Sequence, residues 1–158
     1  MIRFLPRLTA LTLIVALALL TYNCGKKNED PAPTIAGTYK ITAMTSTPGF
    51  PVSGVPITDL YAALGLSTPC FLQMTVTFST AGAATLNIPS GCTLPEPTIE
   101  TLTGFSRNSK WATNGNRLTI TASNGTSQTT YDYTVSGNQL VLVGTNGTYT
   151  LNIKLDKA

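Results

Sequence analysis

Four dipeptides, Asn114-Gly115, Asn124-Gly125, Gly137-Asn138 and Asn146-Gly147, punctuate the last third of the 158-residue chain and constrain its fold more than any other feature. In a two-residue hairpin the numbers of paired residues sum to a constant. Asn114-Gly115 then sets Trp111 opposite Leu118. Asn124-Gly125 sets Leu118 opposite Tyr131 and Ile120 opposite Thr129. Gly137-Asn138 sets Tyr133 opposite Leu142 and Val135 opposite Leu140. Asn146-Gly147 sets Leu142 opposite Leu151, Leu140 opposite Ile153 and Gly144 opposite Tyr149. All four turns keep one large apolar set on the same face, and a one-residue slip at any turn would destroy that agreement. Residues 109–155 therefore read as a five-stranded meander, with strands near 109–113, 117–122, 127–135, 139–144 and 148–155. Thr119, Thr121, Thr130, Asp132, Thr134, Asn152 and Lys154 form its polar, β-prone outer face. Val141 and Val143 interrupt that face and mark an outer patch.

The N-terminus reads as an address. Arg3 and Arg7 precede an apolar run, Leu8–Leu20, broken only by Thr9 and Thr12. The run is short for a transmembrane span and fits a signal peptide over residues 1–23. Cys24 follows, and the arrangement resembles a bacterial lipoprotein signal, in which the cysteine is lipidated. Tyr22 and Asn23 are bulkier than the usual residues before that cysteine, and the competing reading is an ordinary cleaved signal with a free Cys24. A lipidated Cys24 would anchor the protein through buried CH₂ groups, each contributing ~0.8 kcal/mol. Residues 24–34 contain Lys26, Lys27, Glu29, Asp30, Pro31 and Pro33, and read as the lipidated cysteine with a disordered tether. Their charges suit either an export tag or a plain spacer. The expected location is the outer membrane, lipid-anchored, on its periplasmic or cell-surface side.

Removing Cys24 leaves Cys70 and Cys92, an even pair in an exported chain. The segment between them reads as a hairpin, Phe71–Ser79 and Ala83–Ile88, turning at Thr80-Ala81-Gly82. Centred on Ala81, it places Val76 opposite Leu86, Met74 opposite Ile88, Phe78 opposite Ala84, and Cys70 opposite Cys92. Directly opposed residues lie within about 4.5–5.5 Å, Cα to Cα, which suits a disulfide. The chain has no histidine, so a metal site is the weaker reading of these cysteines.

A first strand, Gly37–Ser46, alternates Tyr39, Ile41 and Ala43 against Thr38, Lys40 and Thr42. Two connections are long. In Thr47–Pro69, Ile57, Leu60, Tyr61 and Leu64 follow helical spacing; Thr58 or Asp59 caps the start and Gly65 ends the turn. Thr93–Asn108 holds Pro95, Pro97, Ile99, Leu102 and Phe105. Long loops in compact domains often serve as lids; the alternative is a plug for an open barrel end.

Eight strands joined mostly in sequence order, apolar on one face, meet the requirements of an all-β, up-and-down antiparallel barrel over residues 35–158, with a short helix in the first long loop. The inward set is Tyr39, Ile41, Leu72, Met74, Val76, Phe78, Leu86, Ile88, Trp111, Leu118, Ile120, Tyr131, Tyr133, Val135, Leu140, Leu142, Tyr149, Leu151 and Ile153. An open β-sandwich is the alternative architecture. Within the barrel, Tyr39, Met74, Phe78, Trp111, Tyr131, Tyr133, Leu142 and Tyr149 are candidate ligand contacts, an apolar cup with a few hydroxyls. The same residues would equally well fill a small barrel as core.

Several short segments resemble the lipocalin-like lipoproteins of Bacteroidetes. They are Ile35-Ala36-Gly37-Thr38-Tyr39-Lys40, Thr77-Phe78-Ser79, Cys70 and Cys92, Lys110-Trp111, Asn116-Arg117-Leu118-Thr119-Ile120 and Gly137-Asn138-Gln139-Leu140-Val141-Leu142. Tyr39 stands where that family often has Trp. The resemblance covers about residues 35–155 and implies an eight-stranded barrel, usually without a known ligand.

Other chemistry finds little support. Without histidine there is no Ser-His or Cys-His pair. Asp59, Glu96, Glu100, Asp132 and Asp156 are scattered, and Glu96 and Glu100 share a proline-rich loop that gives no reason for convergence. The expectation is a non-enzyme without cofactor or metal. The formal charge of +3 owes most of its excess to Arg3 and Arg7, and no basic stripe speaks for nucleic acid. The expected partners are a membrane, through the anchor, and a small hydrophobic ligand, with the chain a monomer. The alternative is a solid-barrel structural or protein-interaction module.

Overall fold

A computed structural model describes residues 34–93 and 96–158. Nine strands appear in chain order: β1 Gly37–Val52, β2 Val55–Asp59, β3 Thr75–Phe78, β4 Ala83–Asn87, β5 Ser109–Asn114, β6 Arg117–Thr121, β7 Gln128–Ser136, β8 Gln139–Asn146 and β9 Tyr149–Lys157. Every pairing of these strands is antiparallel. β1 pairs with both β3 and β9, which closes β1 and β3–β9 into an eight-stranded barrel in sequence order. β2 is an extra strand folded back on β1 past the barrel, with Pro51 opposite Pro56 and Val52 opposite Val55. Two helices, α1 (Leu60–Ser67) and α2 (Glu96–Thr103), lie on the long connections. The signal and lipid-anchor assignments fall on residues 1–33, outside the described residues.

Closure gives every barrel strand a paired neighbour on both sides without covering helices. The inward face is then a continuous core. Tyr39, Ile41, Met74, Val76, Phe78, Leu86, Leu118, Ile120, Tyr131, Leu140, Leu142, Leu151 and Ile153 are buried as expected. Leu72, Ile88, Trp111, Tyr133 and Val135 are only partly buried and pack against it; Tyr149 is also only partly buried. At two places the inward set changes. The β1–β9 register shifts between Ile41 and Ala43, and this bulge turns Met44, not Ala43, into the core at 0% exposure. Cys70–Leu72 lies in a single 3₁₀ turn, Pro69–Gln73, rather than in a strand; Phe71 is buried there while Leu72 is half-exposed.

The registers hold at two of the four expected hairpins. Leu118 faces Tyr131 and Ile120 faces Thr129; Tyr133 faces Leu142 and Val135 faces Leu140. At the other two the pairing moves by two residues. Trp111 faces Ile120, not Leu118. Leu142 faces Ile153, Leu140 faces Leu155 and Gly144 faces Leu151. The cause is the turn pair itself. Asn114 pairs with Arg117 and Asn146 with Tyr149, so the turns are Gly115-Asn116 and Gly147-Thr148. Gly115 (φ +59°) and Gly147 (φ +61°) occupy the first central position, where the chain needs positive φ and glycine supplies it without a Cβ penalty. A shift of two keeps every side chain on its face, and the core survives the change. In the Cys70–Cys92 segment, Val76 faces Leu86 and Phe78 faces Ala84 as expected. The strands stop short of Met74 and Ile88, yet the disulfide forms with Cα atoms 5.7 Å apart.

Strand directions sort the connections to two ends. The turn end holds the tight β3–β4, β5–β6 and β7–β8 turns, the start of β1 and the end of β9, where the Ala158 N–H donates to the Thr38 carbonyl at 2.9 Å. The loop end holds β2, α1, the disulfide, α2, the 122–127 loop and the β8–β9 turn.

Candidate functional site

Helix α2 shapes the loop end. The sequence reading treats Thr93–Asn108 as an irregular loop, but Glu-Pro-Thr-Ile-Glu-Thr-Leu-Thr is helical. Pro97 sits in the first helical turn, where its missing N–H costs nothing. Ile99, Leu102 and Thr103 share the buried side. The chain then drops Phe105 into the barrel, 1% exposed. Its ring stacks on Tyr131 at 6.4 Å and meets Phe78 edge-on at 5.9 Å. Of the two readings of this connection, its buried side chains therefore follow the plug.

Neighbours clamp α2 in place. The Tyr131 hydroxyl, fully buried, donates to the Thr103 carbonyl at 2.8 Å, and burial pushes its pKa far up. Asn146 Nδ2 donates to the carbonyls of Thr101 and Leu102 at 2.8 and 3.1 Å, which are among the carbonyls a helix C-terminus leaves unpaired. Ser109 Oγ donates to the Gly104 carbonyl at 2.9 Å and accepts from the Ser106 N–H at 2.8 Å. The two acids that the sequence leaves scattered both act as local ties. Glu96 accepts from the Arg107 N–H at 2.7 Å. Glu100 Oε1 accepts from the N–H and the hydroxyl of Ser123, each at 2.7 Å, and those donors hold its carboxyl below the usual glutamate range.

Between α2, the end of β1 and the β8–β9 turn lies a cleft of about 670 Å³, lined by Phe50, Pro97, Leu102, Asn146, Tyr149 and nearby threonines. Its volume falls within the range of small-molecule pockets. Phe50 and Tyr149 face one another at 5.1 Å, tilted by 55°. No lining residue is charged. On the adjoining side of α2 a smaller, polar cleft of about 240 Å³ is lined by Glu100, Gly104, Asn124, Ser127 and Thr129; Thr101 lines both.

The sequence-derived ligand candidates lie in four places. Tyr39, Met74, Phe78, Tyr131 and Leu142 are buried together in the core. Trp111 is half-exposed at the β4–β5 side, donating through Nε1 to the Ser79 carbonyl at 3.0 Å. Tyr133 lies near the turn end, its hydroxyl donating to the Gly115 carbonyl at 3.2 Å. Tyr149 alone of this set lines the larger cleft. Phe50, Pro97, Thr101, Leu102 and Asn146 escape sequence reasoning because they come from three separated segments. The helical spacing of Ile99, Leu102 and Thr103 is the one signal that points toward them.

Among the described residues no group of three or more His, Cys, Asp or Glu is placed to hold a metal ion, and no helix is long and apolar enough to cross a membrane. No curated protein and no solved structure matches the chain. A family model described as a lipocalin-like domain matches residues 35–142, from the approach to β1 through the first half of β8 and thus more than half of the chain. With the closed barrel and its in-order strands, that match identifies the protein as a member of the lipocalin-like domain family.

Proposed function

We propose that this protein is a lipid-anchored envelope lipoprotein whose lipocalin-like barrel holds a small apolar or amphipathic ligand at the loop-end rim. The observation that carries the reading is the uncharged cleft between Phe50, Leu102 and Tyr149, walled by a helix that Tyr131, Asn146 and Ser123 hold in position. Pre-formed walls reduce the ordering cost of binding. The anchor half of the proposal rests on the Arg3–Cys24 arrangement in the sequence.

Each half has its own test. Thr101 is exposed and lines the cleft, so Thr101→Trp should occupy the space while shifting the urea midpoint little. Uptake of 4-phenylbutan-1-ol, measured by calorimetry on the full chain held in nanodiscs of uncharged lipid, should then disappear; undiminished uptake refutes the cleft. For the anchor, Cys24→Ala should move the protein from the membrane to the soluble fraction, and continued retention refutes lipidation. One observation favours a second reading, a solid interaction module: Phe105, Tyr131, Phe78 and Met44 fill the barrel. On that reading the Val141 and Val143 patch and the loops would carry contacts, and the alcohol would find no site.

A further inference from the structure

The cleft's chemistry narrows what it takes. The larger cleft is uncharged throughout, so it accommodates a body that needs no buried counter-ion. The smaller cleft, beside it on α2 and sharing Thr101, has one charged lining residue, Glu100. Ser123 donates twice to Oε1 of that carboxylate and the Ser106 hydroxyl adds a weaker interaction; with about four lone-pair sites the carboxylate keeps acceptor capacity beyond these.

Charge is also unevenly placed. The connections that build the loop end carry Asp59, Glu96, Glu100 and Arg107. Arg107, the sole base of that set, lies 3.5 Å from Glu96. The barrel strands carry Lys40, Lys110, Arg117, Lys154 and Lys157 against Asp132 and Asp156. The loop end is thus net acidic and the strands net basic. Such a field draws cations to the cleft and turns anions away from it.

Resting on the cleft reading above, we infer that the ligand is a cationic amphiphile: its apolar body lies between Phe50, Leu102 and Tyr149, and its ammonium or comparable head reaches the Glu100 carboxylate across Thr101. Ser123 orients the carboxylate for this contact before the ligand arrives. The hydrogen bonds that lower the Glu100 pKa also keep it anionic into mildly acidic solution.

The test uses three soluble probes with one common body, 4-phenylbutylammonium, 4-phenylbutan-1-ol and 4-phenylbutyrate. Each is titrated calorimetrically into the full chain held in uncharged-lipid nanodiscs, with empty nanodiscs as blank. The ammonium should bind roughly three- to fivefold more tightly than the alcohol, the size expected of a partly exposed ion pair, and the butyrate most weakly. Raising the salt should shrink the preference. Glu100→Gln keeps an acceptor for Ser123 and should bring the ammonium down to the affinity of the alcohol. Equal affinities for all three probes, or a preference that survives Glu100→Gln, overturn this inference and leave the cleft standing. Failure of every probe to bind, or alcohol binding that Thr101→Trp does not diminish, overturns the cleft reading together with it.

Discussion

At one end of the barrel the chain reverses in two to four residues, at Ser79–Gly82, Gly115-Asn116 and Gly137-Asn138. At the other it spends residues 53–74 and 88–108 on a β-arm, two helices, a 3₁₀ turn and a disulfide. Both ends close the same barrel, but by different physics. Tight turns need only the right backbone dihedrals, and their energetics are local. The loop end instead buries Phe71, Ile99, Leu102 and Phe105 and threads polar bonds between distant segments. The difference shows where the fold permits a binding surface: the turn end leaves no wall beside which a ligand could lie, whereas the loop end builds one from α2.

The comparison breaks most readily at Phe105. If the loop end contributes packing as the core does, Phe105→Ala should lower stability by about 3–5 kcal/mol, the usual cost of truncating a buried aromatic, read as a drop in urea midpoint at constant slope. The space left under α2, between Phe78 and Tyr131, should also admit a small apolar probe such as benzene. A loss under 1 kcal/mol would mean that the loop end rests on the barrel without plugging it.

The disulfide gives the next largest effect. Cys70 and Cys92 join the 3₁₀ turn to the segment before α2 with a sequence separation of 22, and closing a loop of that size stabilises by ~3 kcal/mol in the chain-entropy account. Reducing the bridge, or replacing both cysteines by serine, should cost about that much. It should raise amide exchange in the 3₁₀ turn, residues 69–73, and in α2 before it does so in β7–β9. Uniform loosening of both ends would argue that the bridge acts only through the unfolded chain.

The same contrast explains what could be read from the sequence. The strands announce themselves through alternation, because the pleat forces a period of two. That period also shields the inward set from a shift of register: the turn rule sets Leu142 opposite Leu151 and it lies opposite Ile153, but both partners face the core. Alternation is blind to a bulge, and the β1 irregularity after Ile41 put Met44 where Ala43 was expected. The Asp59 cap was legible from its type and place, and its carboxylate accepts from the Ala62 N–H at 2.9 Å. The stop at Gly65 was not: α1 runs on to Ser67, and Gly65 serves as a gap, since a Cβ there would lie 2.7 Å from Leu72 Cδ2. Pro97 read as a loop marker and is a first-turn helical residue. Of the cleft only Tyr149 and the helical spacing around Leu102 are legible, because its walls converge from β1, α2 and the β8–β9 turn only after the barrel closes.

At the turn end the expected effects are smallest and most local, and the β5–β6 hairpin gives the sharpest case. The chain there is Asn114-Gly115-Asn116-Arg117, and either Asn-Gly or Gly-Asn could form the two-residue turn. With Asn114 paired to Arg117 and Gly115 at φ +59°, only Gly115 has a conformation that an L side chain resists, at about 1–2 kcal/mol. Nothing lies within 4 Å of a Cβ built there, so the cost would be one of dihedrals and not of crowding. Gly115→Ala should therefore lose about 1 kcal/mol in urea unfolding. Asn114→Thr, at an exposed strand position, should stay within about 0.5 kcal/mol. A Gly115-to-D-alanine replacement made by chemical ligation should recover the loss, because the mirror-image residue favours positive φ. Equal costs at Asn114 and Gly115 would instead restore Asn114-Gly115 as the turn pair and return Trp111 to its place opposite Leu118.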